Sequence, residues 1–151
     1  MTVVVWDGST LATDKMANDG SLKWESPKAW YVDNKIVSGV GLLQHIVLLR
    51  EWVRKGAVVE DYPRHILNQH HTHQLVVVDG EGLWVYEGVP VPVQHGHTPI
   101  AFGHGRDFAL GAMAMGADAE KAVEITNKYS LQCGNGVYTY TLQGGKDDKE
   151  R

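Results

Sequence analysis

The stretch MTVVVWDGSTLATDK (residues 1–15) sets a β-rich run, Thr2 to Trp6, against the turn signal Asp7-Gly8-Ser9 and a second run from Thr10 to Asp14. Apolar and β-branched residues on both sides of an Asp-Gly turn read as a β-hairpin. Its register decides what the open end presents. A three-residue loop sets Thr2 and Asp14 on one face, whereas a two-residue Asp-Gly loop points them to opposite faces; the sequence leaves both open. Thr2 itself has two readings. It is either a β-branched strand residue that helps an aminopeptidase trim the methionine, or a residue whose chemistry needs it exposed at the chain start.

Outward from this hairpin the period changes several times. The runs KAWYVD and KIVSGVG flank Asp33-Asn34 and predict a second hairpin. In GLLQHIVLLREWVRKGA (residues 41–57), Leu42, Ile46, Leu49 and Trp52 fall at helical spacing, and Gly56 suits the end of that helix. The apolar LLQHIVLL part also offers an interface between subunits. Between Val58 and Gln69 no firm pattern emerges, and Pro63 argues for a loop. HQLVVVDGEGLWVYEG (residues 73–88) predicts two strands around Asp79-Gly80-Glu81-Gly82, and HTPIAFGHG a short strand running into a glycine turn. In RDFALGAMAMGADAEKAVEITNKYS (residues 106–130), Phe108, Met113, Ala122, Val123 and Ile125 form inward stripes, with Gly116 dividing two helices. GVYTYTL predicts a last strand, and QGGKDDKER (residues 143–151) a solvated polar tail. Hairpins, helix, hairpin with strand, two helices and strand call for sheets with helices packed outside, an α+β fold.

With 151 residues the chain has the size of one domain, expected over residues 2–142, and can bury a core without staples. A net charge of -4 argues against a nucleic-acid partner. The single cysteine, Cys133, has no intramolecular disulfide partner, and the N-terminus carries neither a basic n-region nor an apolar h-region. No apolar run approaches the roughly 20 residues that span a bilayer. A cytoplasmic location, with no membrane and no cofactor, is expected.

Three stretches together, MTVVVWDGSTLATDK, SPKAWYVDNKIVSGVG and IAFGHGRDFALGAMAMGADAEKAVEITNKYSLQCG, resemble the proteasome β-subunit family, in particular its short bacterial HslV-like and phage-borne relatives. The FALGAMAMGADAEKAVE helix pair carries most of the likeness. The resemblance implies a four-layer αββα N-terminal nucleophile hydrolase sandwich, homo-oligomeric rings, and an AAA+ unfoldase ATPase feeding unfolded protein or peptide substrates. It also implies that Thr2, freed of Met1, is both nucleophile and base. A free α-amine with a reference pKa of about 8 can accept the hydroxyl proton as Thr2 attacks a carbonyl.

The remaining site residues follow from the same resemblance. Lys28 matches the lysine that stabilises the reacting hydroxyl and holds the amine neutral, with Lys23 and Lys35 as competitors. Asp14 matches the acid that orients that lysine. Gly41 matches the glycine whose N–H forms the oxyanion hole, and Gly39 is close enough to compete for the role. Two positions depart from the family pattern. Gly103-His104-Gly105 stands where Gly-Ser-Gly is usual, and Ser130 stands where an aspartate precedes a Ser-Gly or Cys-Gly pair, here Cys133-Gly134. His104 and Ser130 are supporting candidates that orient and protonate the threonine amine. These departures keep a second function class open, a catalytically silent ring subunit. The eight histidines raise a rival, because His70, His71 and His73 in NQHHTHQ and His95 and His97 in VQHGHTP are loop-borne nitrogen ligands. No cysteine or carboxylate sits at matching spacing, so no metal site is expected.

Overall fold

In the computed structural model the hairpin at the chain start is formed by β1 (Val3–Trp6) and β2 (Leu11–Asp14), joined at Gly8-Ser9. The structure describes residues 2–64, 73–96 and 98–142; the predicted polar tail lies outside them. The described residues fall into two compact units, one drawn from Met1–Ala29 and His97–Thr141, the other from Trp30–Gly96 with Leu142 onward. Each unit has its own sheet.

In the first unit β1 and β2 are the centre of a four-stranded antiparallel sheet, ordered β10-β1-β2-β11, with β10 at Ile100–Gly103 and β11 at Val137–Tyr140. The hairpin register is Val4 opposite Thr13 and Trp6 opposite Leu11, so neither anticipated loop is present. Continuing it by one step sets Val3 opposite Asp14. Asp7 causes the shift, because its Oδ1 accepts from the Ser9 and Thr10 N–H groups at 2.9 and 2.8 Å and holds the turn around Gly8-Ser9.

Two helices, α2 (Arg106–Ala114) and α3 (Ala119–Tyr129), pack on this sheet. Val3, Val5, Ala12 and Ala101 meet Ala109, Met113, Ala119, Ala122 and Val123 in one buried cluster. The run of alanines lets the helices approach the strands closely. Gly116, with φ of 106°, breaks the two helices as expected, and Asp118 caps α3 by accepting from the Lys121 N–H at 2.9 Å. Phe108 departs from its expected inward stripe. It is 45% exposed and stacks on Tyr129 instead, since α2 has only nine residues and Ala109 and Met113 already fill its buried side. Ile125 is half-buried. A short hairpin, β3 (Met16–Asn18) and β4 (Lys23–Glu25), is an element the sequence reading did not contain.

The second unit holds a five-stranded antiparallel sheet, β5 (Ala29–Val32), β6 (Lys35–Val40), β7 (Gln74–Asp79), β8 (Gly82–Tyr86) and β9 (Val93–His95), in chain order. Asp33 and Asn34 both take positive φ, 49° and 65°, as a tight two-residue hairpin turn requires. β9 occupies a stretch read from the sequence as a histidine-bearing loop. Helix α1 (Leu43–Arg54) packs Ile46, Leu49, Trp52 and Val53 against Trp30, Val32, Val37, Leu75 and Val77. Gly39 permits this approach, because a Cβ there would stand 2.7 Å from both the Gln74 carbonyl and Ile46 Cδ1. Leu42 is no part of the buried stripe: it precedes the helix and is 45% exposed. With Ile46 and Leu49 committed to the core, only Leu42 and Leu43 of the apolar run remain exposed for an interface. Gly56 follows the helix with φ of 105°, as predicted.

Asp7 also joins the hairpin to the helical layer, since its Oδ2 accepts from the Ala119 N–H at 2.8 Å, at the start of α3. Burial pushes the Asp7 carboxyl up, but the Ala119, Thr10 and Ser9 N–H groups outweigh it and hold the carboxyl below its ordinary value. A depressed folded-state value adds stability above the unfolded-state pKa of about 3.9 and loses it as pH falls through the folded value. Asp7→Ala is therefore expected to cost about 1 kcal/mol near pH 7, the usual worth of a helix cap. Chemical denaturation across pH should show the gap between wild type and variant closing below about pH 4; a gap that stays constant would contradict this role.

Candidate active site

A carboxylate with no exposed surface needs partners for its charge, and Asp14 has them from three segments of the first unit. Its Oδ1 accepts from Lys28 Nζ at 2.8 Å and from the Val3 N–H at 3.2 Å, and its Oδ2 accepts from the Gly134 N–H at 3.2 Å. The end of β2, the segment ahead of β5, the residue after Thr2 and the turn before β11 thus converge on one side chain. Lys28 is itself only 6% exposed, so this is an ion pair withdrawn from water on both sides. Among the lysines the sequence offered, Lys28 is the one on Asp14. Lys23 is exposed in β4, and Lys35 is half-buried at the start of β6 in the other unit.

Thr2 is half-buried, one residue before β1. Val3 is held by Asp14 and stands opposite Gly103 in the β1–β10 register, while the Gly105 N–H points at the Thr2 carbonyl at 3.5 Å. Asp14 therefore engages the main chain beside Thr2 and lies across from Val3 rather than Thr2. Gly105 is required by its surroundings. A Cβ there would press into the Thr126 Cγ2 methyl and stand 3.0 Å from Val3 Cβ and 3.1 Å from Cys133 Sγ. The helix α2 begins at this glycine, so close packing at one atom fixes both the helix start and the first residues of the chain.

Between Gly103 and Gly105, His104 is exposed in the turn. Ser130 ends α3, where its N–H donates to the Thr126 carbonyl at 2.8 Å and its Oγ accepts from the Gln132 N–H at 3.1 Å. Cys133 is buried behind it. Burial first and the Asp14 carboxylate second push its thiol up to about 11, against the opposing pull of the Ser130 hydroxyl and Lys28. At neutral pH it is a thiol with no nucleophilic role. Gly41, in the second unit, occupies the exposed junction between β6 and α1 with φ of 126°, a conformation that favours glycine.

The sequence reading named Asp14 and Lys28 but not the roles of Val3, Gly105 and Gly134, whose contributions are main-chain N–H groups or the absence of a side chain. Of the histidines in the rival metal reading, His70, His71 and His97 lie outside the described residues. His73 is buried, and His95 ends β9. Among the described residues no three histidine, cysteine or acidic side chains gather as a metal site would require.

Chemically, a hydroxyl residue near the chain start lies within one peptide unit of a buried, hydrogen-bonded ion pair. No family model matches the sequence. No curated protein matches it either. Solved structures do resemble it. The Thiobacillus denitrificans protein BPH in complex with epoxomicin is 16% identical and superposes with a TM-score of 0.68 over 92% of this chain and 96% of its own. HslV from Trypanosoma brucei is 18% identical with a TM-score of 0.68, covering 93% of this chain and 98% of its own. A second structure of T. denitrificans BPH gives 16% identity and a TM-score of 0.68 over 92% of this chain and 95% of its own. At these identities the likeness speaks for the fold: the chain has the N-terminal nucleophile hydrolase fold of the HslV-type proteins.

Proposed function

We propose that the protein is a threonine peptidase that cleaves peptide bonds through an acyl-enzyme on Thr2. The observation that carries this reading is the buried Asp14–Lys28 pair, bonded through Asp14 to the main chain of Val3. A structural pair of this kind stabilises little against an apolar replacement. Its expense is understandable where a charged ammonium is needed beside a reacting group.

Removal of Met1 frees the Thr2 amine. The amine takes the proton of Thr2 Oγ, the oxygen attacks the substrate carbonyl, and the C–N bond breaks to leave the acyl-enzyme, which water hydrolyses. Lys28, paired with Asp14, favours the alkoxide-like oxygen and the neutral amine. The Gly41 N–H is assigned to the oxyanion and Ser130 to supporting the amine. The whole of residues 2–142 works as one domain. We further infer closed homo-oligomeric rings in the cytoplasm that enclose the threonines, with an AAA+ ATPase delivering unfolded protein. Among the described residues no helix is long and apolar enough to cross a membrane.

Intact mass is expected to show a chain beginning at Thr2, and Thr2→Ala to abolish peptide hydrolysis with assembly size unchanged by light scattering. Epoxomicin, found in complex with the structurally similar T. denitrificans protein, is the probe to try: wild type should bind it and Thr2→Ala should not. Retained Met1 with no binding would favour a silent ring subunit.

Lys28→Ala is expected to lower turnover about a hundredfold or more, and Lys28→Arg not to rescue it, because a planar guanidinium does not replace a compact ammonium. Leaving Asp14 charged, buried and unpaired should also cost about 3–5 kcal/mol of stability. The double variant Lys28→Met with Asp14→Asn separates the two effects: thermal unfolding should recover while turnover stays low. Turnover that returns with stability would remove Lys28 from the mechanism.

A further inference from the structure

In the peptidase reading, on which this inference rests, the Thr2 amine must take a proton from its own hydroxyl and then see it delivered to the departing nitrogen. We propose that His104 performs this delivery, as the general acid for the leaving amine. The backbone places His104 beside the start of the chain. Gly103 stands opposite Val3, and the Gly105 N–H points at the Thr2 carbonyl, so both neighbours of His104 are tied to the first residues of the chain. With adjacent Cα atoms 3.8 Å apart and paired strands about 5 Å apart, the His104 Cα lies within about 10 Å of the Val3 Cα. Gly103 has φ of 96°, and His104 is exposed in the turn that follows. Its imidazole makes no hydrogen bond, ion pair or ring contact among the described residues.

Other groups at this end of the unit are committed elsewhere. Asp14 and Lys28 hold each other in the interior. Cys133 is a buried thiol, and Ser130 Oγ accepts from the Gln132 N–H. Arg106 and Asp107, in the first turn of α2, lie 3.9 Å apart as an ion pair, with side chains 62% and 92% exposed. A neutral imidazole offers an acceptor nitrogen and a donor N–H at once.

The step balances without further reagents. Thr2 Oγ–H breaks and C–Oγ forms, with the proton on the α-amine. That ammonium passes a proton to one imidazole nitrogen while the other releases its proton to the substrate nitrogen as the C–N bond breaks. The imidazole ends neutral in its other tautomer, the amine is neutral, and the product leaves as a neutral amine.

Leaving groups discriminate this role from a structural one. An amine departs only when protonated, whereas p-nitrophenolate departs unassisted. The test compares an internally quenched peptide with the p-nitrophenyl ester of its acyl half, on assembled wild type and on His104→Ala. Peptide kcat should fall about a hundredfold with KM little changed, the ester rate should barely move, and added imidazole should restore peptide cleavage. Equal loss on both substrates, no loss on either, or a selective loss that imidazole leaves uncorrected would overturn the role of His104. Wild type that cleaves neither substrate would instead overturn the peptidase reading and this inference with it.

Discussion

A carboxylate sealed from water is tolerable only while every donor around it stays in place. Asp14 imposes that condition on four segments at once, since losing any of Lys28, the Val3 N–H or the Gly134 N–H strands a charge in the interior. The demand is not met by side-chain chemistry alone. Two of its three donors are main-chain groups, so the path of the backbone at the chain start and at the turn before β11 is set by electrostatics. The sheet, the helices above it and the first residues of the chain are arranged compatibly with that one charge.

Packing then makes the arrangement stiff. Gly105 leaves no space for a methyl group among Thr126, Val3 and Cys133, and the alanines of α2 and α3 bring the helices down on β1 and β2. In the second unit Gly39 plays the matching part beneath Ile46. Both are positions where the missing side chain is the function, and both precede a helix that lies on its sheet.

Elements whose signals are local were legible in the sequence: the Asp33-Asn34 and Asp79–Gly82 turns, the helix stop at Gly56 and the break at Gly116 each need only a few neighbouring residues. The hairpin register was not, because Asp7 is bonded both to its own turn and to Ala119, 112 positions away. Phe108 was misplaced because a nine-residue helix gives too few turns to fix its phase. β3, β4 and β9 have three residues each, too short for alternation to register. Asp14 and Lys28 were found through a family likeness and not through their spacing of 14 residues, which carries no pattern of its own. Their main-chain partners left no trace in composition.

The β3–β4 hairpin takes up most of the chain between the two halves of the ion pair, and the residues flanking it close its base: Ser26 N–H donates to the Lys15 carbonyl at 2.8 Å, while Asp19 Oδ1 gathers the Ser21 and Leu22 N–H groups at its tip. A segment clamped at its base is thermodynamically insulated from what it clamps. Doubling the length of such a loop costs only about 0.6 kcal/mol in closure entropy. Evolution can therefore lengthen, shorten or redecorate this projection, with its exposed Leu22 and Trp24, while Asp14 and Lys28 remain where they are. It is a projection whose length and decoration can change without disturbing the clasp on which it is mounted.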